Sequence, residues 1–187
     1  MIQRIKAGKH RPGGLNLPRF SKGVAFFSFS FSESCLLPSE HTNKLCGLSY
    51  RLLPKVKRYR QGDTKQEYLL NRLWRKLGFQ LLWGHHYSSL RIGWRAANGW
   101  IELTGYGYRE GQRVITYLGR VEPGVCCMVF FRMSKPGGTA RLTVTAAANK
   151  IGALYTQHKV RPGYVLGPYW GGRERAPETL YFQLEQL

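Results

Sequence analysis

Phe27-Ser28-Phe29-Ser30-Phe31-Ser32 alternates aromatic and hydroxyl residues with period two. Successive side chains of an extended chain point to opposite faces, so this stretch has one apolar face and one polar face. It reads as a half-buried β-strand. Working outward, the same pattern returns across the C-terminal two thirds of the chain. Strands are expected at Phe79–Trp83, Leu90–Arg95, Trp100–Tyr108, Arg113–Val121, Cys126–Met133, Ala140–Ala146, His158–Gly167 and Thr179–Leu184. Turn residues separate most of them: Asn98-Gly99, Glu110-Gly111, Pro123-Gly124, Pro136-Gly137-Gly138 and Pro162-Gly163. Asn98-Gly99 has the residue types of a two-residue hairpin turn. Many short strands with frequent turns predict a mostly β fold, an antiparallel, jelly-roll-like β-sandwich.

Two stretches break that pattern. Residues 8–23 mix Gly8, Pro12, Gly13, Gly14, Pro18 and Gly23 with basic residues and read as a loop, and Glu33 to Thr42 reads as a turn region. From about Thr64 to Leu77 the period changes to that of a helix. Asp63 supplies an N-cap, with Gln66 three residues on as in a capping box. Leu70, Leu73, Trp74 and Leu77 fall on one face, and Gly78 gives a stop. The expectation is one domain over residues 1–187, carrying one inserted amphipathic helix. No fixed-period repeat and no linker divides it.

The charge is heavily one-sided. Twenty-nine Lys and Arg stand against 10 Asp and Glu, a net charge of +19. Residues 1–75 hold 15 of those cations and 4 of the acids, so the shorter part is the more basic. With 43% apolar residues, the chain is not a disordered polycation. The surplus repels itself and favours an anionic partner. Cys35, Cys46, Cys126 and Cys127 form neither a CxxC pair nor a disulfide framework, which suits a reducing compartment. Cys126 and Cys127 point to opposite faces if they lie on a strand. No signal-like apolar run follows the basic start, and the longest apolar stretch, Val125 to Phe131, is too short to span a bilayer. The expected location is the cytoplasm or a virion, without membrane insertion.

Five motifs in order resemble an uncharacterised family of small proteins from bacterial and phage genomes. They are Gly8-Lys9-His10-Arg11; Glu33-Ser34-Cys35 followed by Asn43-Lys44-Leu45; and the run His85-His86-Tyr87-Ser88-Ser89-Leu90-Arg91-Ile92-Gly93-Trp94-Arg95. Ile101-Glu102-Leu103 with Tyr106, Tyr108, Gly111 and Arg113 comes next, then Pro168-Tyr169-Trp170-Gly171-Gly172 with Ala176-Pro177. The resemblance implies a compact β-sandwich and no particular activity. In the family the "NKL.G" motif is followed closely by "HH". Here about 35 residues intervene, Leu48 to Leu82, and they read as a basic, helical insertion.

That insertion is the first candidate site. Arg51, Lys55, Lys57, Arg58 and Arg60 lie within ten residues, and Arg72, Arg75 and Lys76 follow on the helix. Such density neutralises phosphates and releases counterions, and Tyr59 adds a stacking surface. The expected function is therefore non-enzymatic: contact with nucleic acid or another polyanion, as a structural subunit of a virion or other large assembly. Other subunits of that assembly would be further partners. The blander alternative is a solvated charged loop.

The second candidate is a glycan site of His85, His86, Arg91, Tyr106 and Tyr108. A polysaccharide-cleaving jelly roll needs Tyr or His to move protons and Arg to hold a uronate carboxylate, and these are the right residue types. Trp100, Glu102 and Tyr106 share one strand face by alternation, with Tyr108 beside them, and a buried Glu102 would need Arg91, Arg95 or Arg113 as partner. Against this, adjacent histidines on a strand face opposite ways, no acid lies within fifteen residues of them, and aromatic residues commonly fill a sandwich core. The sequence predicts no catalytic residue, metal site or cofactor. It lacks GxxxxGK[ST], GxSxG and HExxH motifs.

Overall fold

A computed structural model describes residues 2–12, 23–38, 41–51, 89–109, 112–133, 139–147, 149–157, 161–171 and 175–187. Among them, eleven strands form two antiparallel sheets. The six-stranded sheet runs in the order β1 (Ile2–Ile5), β11 (Leu180–Gln186), β2 (Val24–Phe31), β7 (Cys127–Met133), β8 (Thr139–Ala146) and β9 (Asn149–Gln157). The five-stranded sheet runs β10 (Arg161–Leu166), β3 (Asn43–Arg51), β4 (Ser89–Ala97), β5 (Trp100–Arg109) and β6 (Gln112–Val121). Pairings between strands distant in sequence, such as β2 with β7 and β3 with β10, tie the sheets into a jelly-roll-like sandwich.

The alternation in β2 sets the core. Phe27, Phe29 and Phe31 are buried, while Ser28 and Ser30 between them are half-buried. Phe31 meets Trp94 of β4 across the sandwich at 5.1 Å between ring centroids, and Trp94 meets Trp170 at 5.8 Å. Truncating Phe31 would open a cavity costing about 3–5 kcal/mol. At the β6–β9 side the sheets approach so closely that a Cβ on Gly119 would collide with Ile151, and one on Gly152 with Leu118. The Asn98-Gly99 turn forms as expected, with φ of 50° and 76°.

Several expectations change. β1, β3 and β9 were not among the expected strands. β3 and β9 carry glycines that weaken the strand pattern, yet packing requires them: a Cβ on Gly47 would strike Leu90 and Arg91. The insertion expected from Leu48 begins inside β3, where Leu48 is fully buried. The expected helix over Thr64–Leu77 and the strand Phe79–Trp83 lie outside the described residues. Among the described residues, the turn region holds one 3-10 turn, Glu33–Leu36. All four cysteines are free; Cys127 is buried and Cys126 exposed. Among the described residues, no helix is long and apolar enough to cross a membrane.

Candidate functional site

The register of the five-stranded sheet assembles the site. Leu90, Ile92 and Trp94 of β4 point into the core, so Ser89, Arg91, Gly93 and Arg95 occupy the opposite face. Across that face Ser49, Ser89, Tyr108 and Arg113 pair in one row. Gly47, Arg91, Tyr106 and Ile115 form the next, and Lys44, Gly93, Thr104 and Tyr117 the third. Gly47 has no side chain because Arg91 lies over it: a Cβ there would sit 2.8 Å from Arg91 Cγ.

On β3, β4 and β5 this face is polar and yet largely buried, while Arg113, Ile115 and Tyr117 of β6 are exposed. Arg91 is 8% exposed, Tyr106 6%, and Ser49 and Ser89 are fully buried. The hydroxyls of Tyr106 and Tyr108 share a hydrogen bond of 3.0 Å, and their rings meet edge to face at 5.6 Å. Lys44 Nζ lies 5.3 Å from the centre of the Tyr106 ring. Burial, with the charges of Arg91 and Arg113 added, lowers the Lys44 pKa to about 8. Burial and the bond to Tyr108 push the Tyr106 phenol up to about 12, and the charges of Arg113 and Arg91 oppose that rise. Three cations thus converge on one pair of phenols. Lys44 gives up its proton at about pH 8, where the neighbouring Tyr106 phenol keeps its own.

A second aromatic group adjoins the first. Tyr169 forms an isolated antiparallel bridge with Lys44, each backbone N–H donating to the other's carbonyl at 2.8 Å. Lys44 Nζ is 5.7 Å from the Tyr169 ring, so the one ammonium is flanked by both tyrosines. His10 stacks on Tyr169 at 5.2 Å with the planes 8° apart, and the Arg11 guanidinium sits 5.5 Å from the same ring.

Of the residues expected from sequence, the structure brings Arg91, Tyr106 and Tyr108 together. His85 and His86 lie outside the described residues, as do Lys55, Lys57, Arg58, Arg60, Arg72, Arg75 and Lys76. Arg51 ends β3, paired in register with Arg161 of β10. Glu102 pairs with Arg95 at 2.6 Å. Sequence reasoning did not select Lys44, Arg113, His10 or Arg11 for the site. Each nevertheless falls within a motif quoted for the family resemblance. Among the described residues, no three His, Cys, Asp or Glu side chains gather as metal ligands. A separate, open cavity of about 520 Å³ lies beside β1, β2 and β11. Glu33, Ser32, Cys126 and Tyr181 help to line it, and it contains none of these cations.

The class this defines is an antiparallel β-sandwich bearing a partly buried basic–phenolic cluster on one sheet. Two solved structures resemble its fold. The alginate lyase vAL-1 from Chlorella virus aligns with 100% of this chain and 84% of its own, at 12% identity and a TM-score of 0.48. The kappa-carrageenase from Pseudoalteromonas carrageenovora, solved with an oligotetrasaccharide of kappa-carrageenan, aligns over 99% and 77%, at 7% identity and 0.39. No family model matches the sequence, and no curated protein matches it. The expectation of a non-enzymatic, nucleic-acid-contacting virion subunit is corrected here. The neighbours are named for polysaccharides and not for nucleic acid.

Proposed function

We propose that the chain binds an acidic polysaccharide over the Lys44–Arg91–Tyr106–Tyr108 face and cleaves it by β-elimination beside a uronate carboxylate. The observation that carries this reading is the depressed Lys44 ammonium held between Arg91, Arg113 and a phenol that retains its proton. A uronate carboxylate placed against Arg91 is met by a guanidinium suited to bidentate binding. Neutralising that carboxylate acidifies the C5 hydrogen beside it. Neutral Lys44 takes that proton, a double bond forms between C4 and C5, and the C4–O glycosidic bond breaks. Tyr106 gives its proton to the departing oxygen, with Tyr108 hydrogen-bonded to the phenolate that results. Solvent exchange restores both groups. One proton leaves carbon and one reaches oxygen, so the reaction consumes no water and requires no oxidant. A base with a pKa near 8 and an acid that holds its proton at neutral pH divide the two roles.

The test is turnover of alginate, polygalacturonate and polyglucuronate, followed by the ultraviolet absorbance of the new conjugated double bond. Tyr106→Phe is expected to lower kcat by about 10²–10⁴-fold, the usual contribution of a general acid. In the unaltered protein kcat/KM should rise with pH through about 8, as Lys44 loses its proton. Saturated products from every polymer, or no turnover and no binding of any of them, would remove this reading.

A further inference from the structure

We propose that His10, Arg11 and Tyr169 form a second uronate-binding position beside the reaction centre, with Lys44 shared between the two. This rests on the reading of Lys44, Arg91 and Tyr106 given above. It adds a place for the neighbouring sugar, and so a preference for longer chains.

Three segments far apart in sequence hold this position rigid. Trp170 N–H donates to the His10 carbonyl at 2.7 Å, Gly171 N–H to Asn43 Oδ1 at 2.7 Å, and Ala176 N–H to the Lys9 carbonyl at 3.0 Å. Tyr169 is also tied to Lys44 by two backbone bonds. A Cβ on Gly171 would lie 2.6 Å from the Thr42 carbonyl oxygen, so this packing depends on glycine. Such a site is formed before a ligand arrives, which lowers the ordering cost of binding.

Its chemistry repeats that of the first position. Tyrosine and histidine rings give apolar faces for a sugar, and the His10–Tyr169 stack holds the two rings together. Arg11 is exposed, and among the described residues no carboxylate pairs with it; its contact is the Tyr169 ring. A guanidinium resting on a ring keeps its N–H groups available at the edge, where a second carboxylate would be received. Because Lys44 borders both rings, a chain crossing the strands from Tyr106 toward Tyr169 meets cation, phenol and cation in succession. Consecutive uronates present carboxylates and apolar faces in the same alternation.

The experiment is a titration of alginate oligosaccharides of increasing length, at pH 6 where Lys44 is protonated and turnover suppressed. The comparison is between the unaltered protein, Arg11→Gln and Tyr169→Ala, with Tyr169→Phe as the conservative variant. Arg11→Gln should weaken binding of the longer oligomers about tenfold, the loss of a charge-assisted hydrogen bond, and leave the shortest bound oligomer within about twofold. Tyr169→Ala should behave likewise and Tyr169→Phe should not. Arg11→Gln removes an exposed group, so its result stands even if Tyr169→Ala unfolds. Equal affinity of Arg11→Gln and the unaltered protein at every length overturns the second position alone. An equal loss at every length overturns it too, by placing Arg11 in the reaction centre. Failure of the unaltered protein to bind any alginate, polygalacturonate or polyglucuronate oligomer overturns the underlying reading and the second position with it.

Discussion

The two sheets follow the same alternation and put it to opposite uses. On the outward face of the six-stranded sheet, Ser28, Ser30, Thr143 and Thr145 are half-buried and Arg132 and Arg141 are exposed. Arg141 rests on Tyr155 at 5.4 Å and donates to Thr143 Oγ1 at 2.9 Å. That is the usual solution, an apolar face inward and a wet face outward. On the five-stranded sheet the corresponding face withdraws Arg91, Thr104, Tyr106 and Ser89 from water. Burying like charges costs stability, and such costs concentrate at sites that use them. Period two therefore says which side a residue takes, and only the tertiary structure says whether that side is solvated.

The largest expected effect breaks this comparison directly. Arg91→Ala and Arg141→Ala remove the same side chain from the outward faces of the two sheets. Arg91→Ala should reduce kcat/KM on a uronate polymer about a thousandfold, by losing a buried, charge-assisted contact made to the reacting carboxylate. Arg141→Ala should stay within about twofold. Equal effects on turnover would erase the distinction between the two faces.

A smaller effect concerns stability. The Lys44 pKa falls from 10.5 to about 8 in the folded state, chiefly through burial. Below pH 8 the lysine is protonated in both states, and the folded chain bears the full penalty. Between about 8 and 10.5 the unfolded chain holds a proton that the folded chain has released, so folding stability rises with pH. A shift of this size on a fully buried group corresponds to about 3 kcal/mol, and solvent screening of a half-buried lysine cuts this to about 1. Lys44→Met should therefore be about 1 kcal/mol more stable at pH 6.5, with the gap closing by pH 10, while turnover is lost. Thermal melts at the two pH values decide it. A less stable variant at pH 6.5 would make Lys44 a structural residue.

How much of this was legible follows from what each residue reports. Phe27, Phe29 and Phe31 announce their strand because packing and alternation agree there. Asn98-Gly99 announces its hairpin because few residues adopt positive φ. Arg91, Tyr106 and Tyr108 could be grouped from residue type and strand face alone. Lys44 could not: its strand is bent by an irregularity between Lys44 and Cys46 and weakened by Gly47. Its role arises from Arg91, 47 positions away, and Arg113, 69 positions away. Tyr169 is further still, brought to Lys44 by one isolated bridge. The basic run after Arg51 drew attention through density, which measures charge along the chain. The site depends on charge gathered across strands, and pairing register is hidden in a linear reading.

The smallest effect sharpens the comparison within the site's own sheet. Arg95 and Glu102 face each other one row beyond Gly93 and Thr104, on the same outward face as Arg91, and pair at 2.6 Å. The Arg95 side chain is 52% exposed, so water screens this pair and offers its partners an alternative. Arg91 and Arg95 thus stand two rows apart on one face and differ in their contact with solvent. Glu102→Gln should lower stability by less than about 0.5 kcal/mol, a loss that fades in high salt. It should leave turnover within about twofold, since Glu102 belongs to neither tyrosine group. A tenfold fall in kcat from Glu102→Gln would extend the reaction centre along β5 toward Trp100, where Arg120 stacks on the indole at 4.5 Å. The functional face would then run the length of the strand.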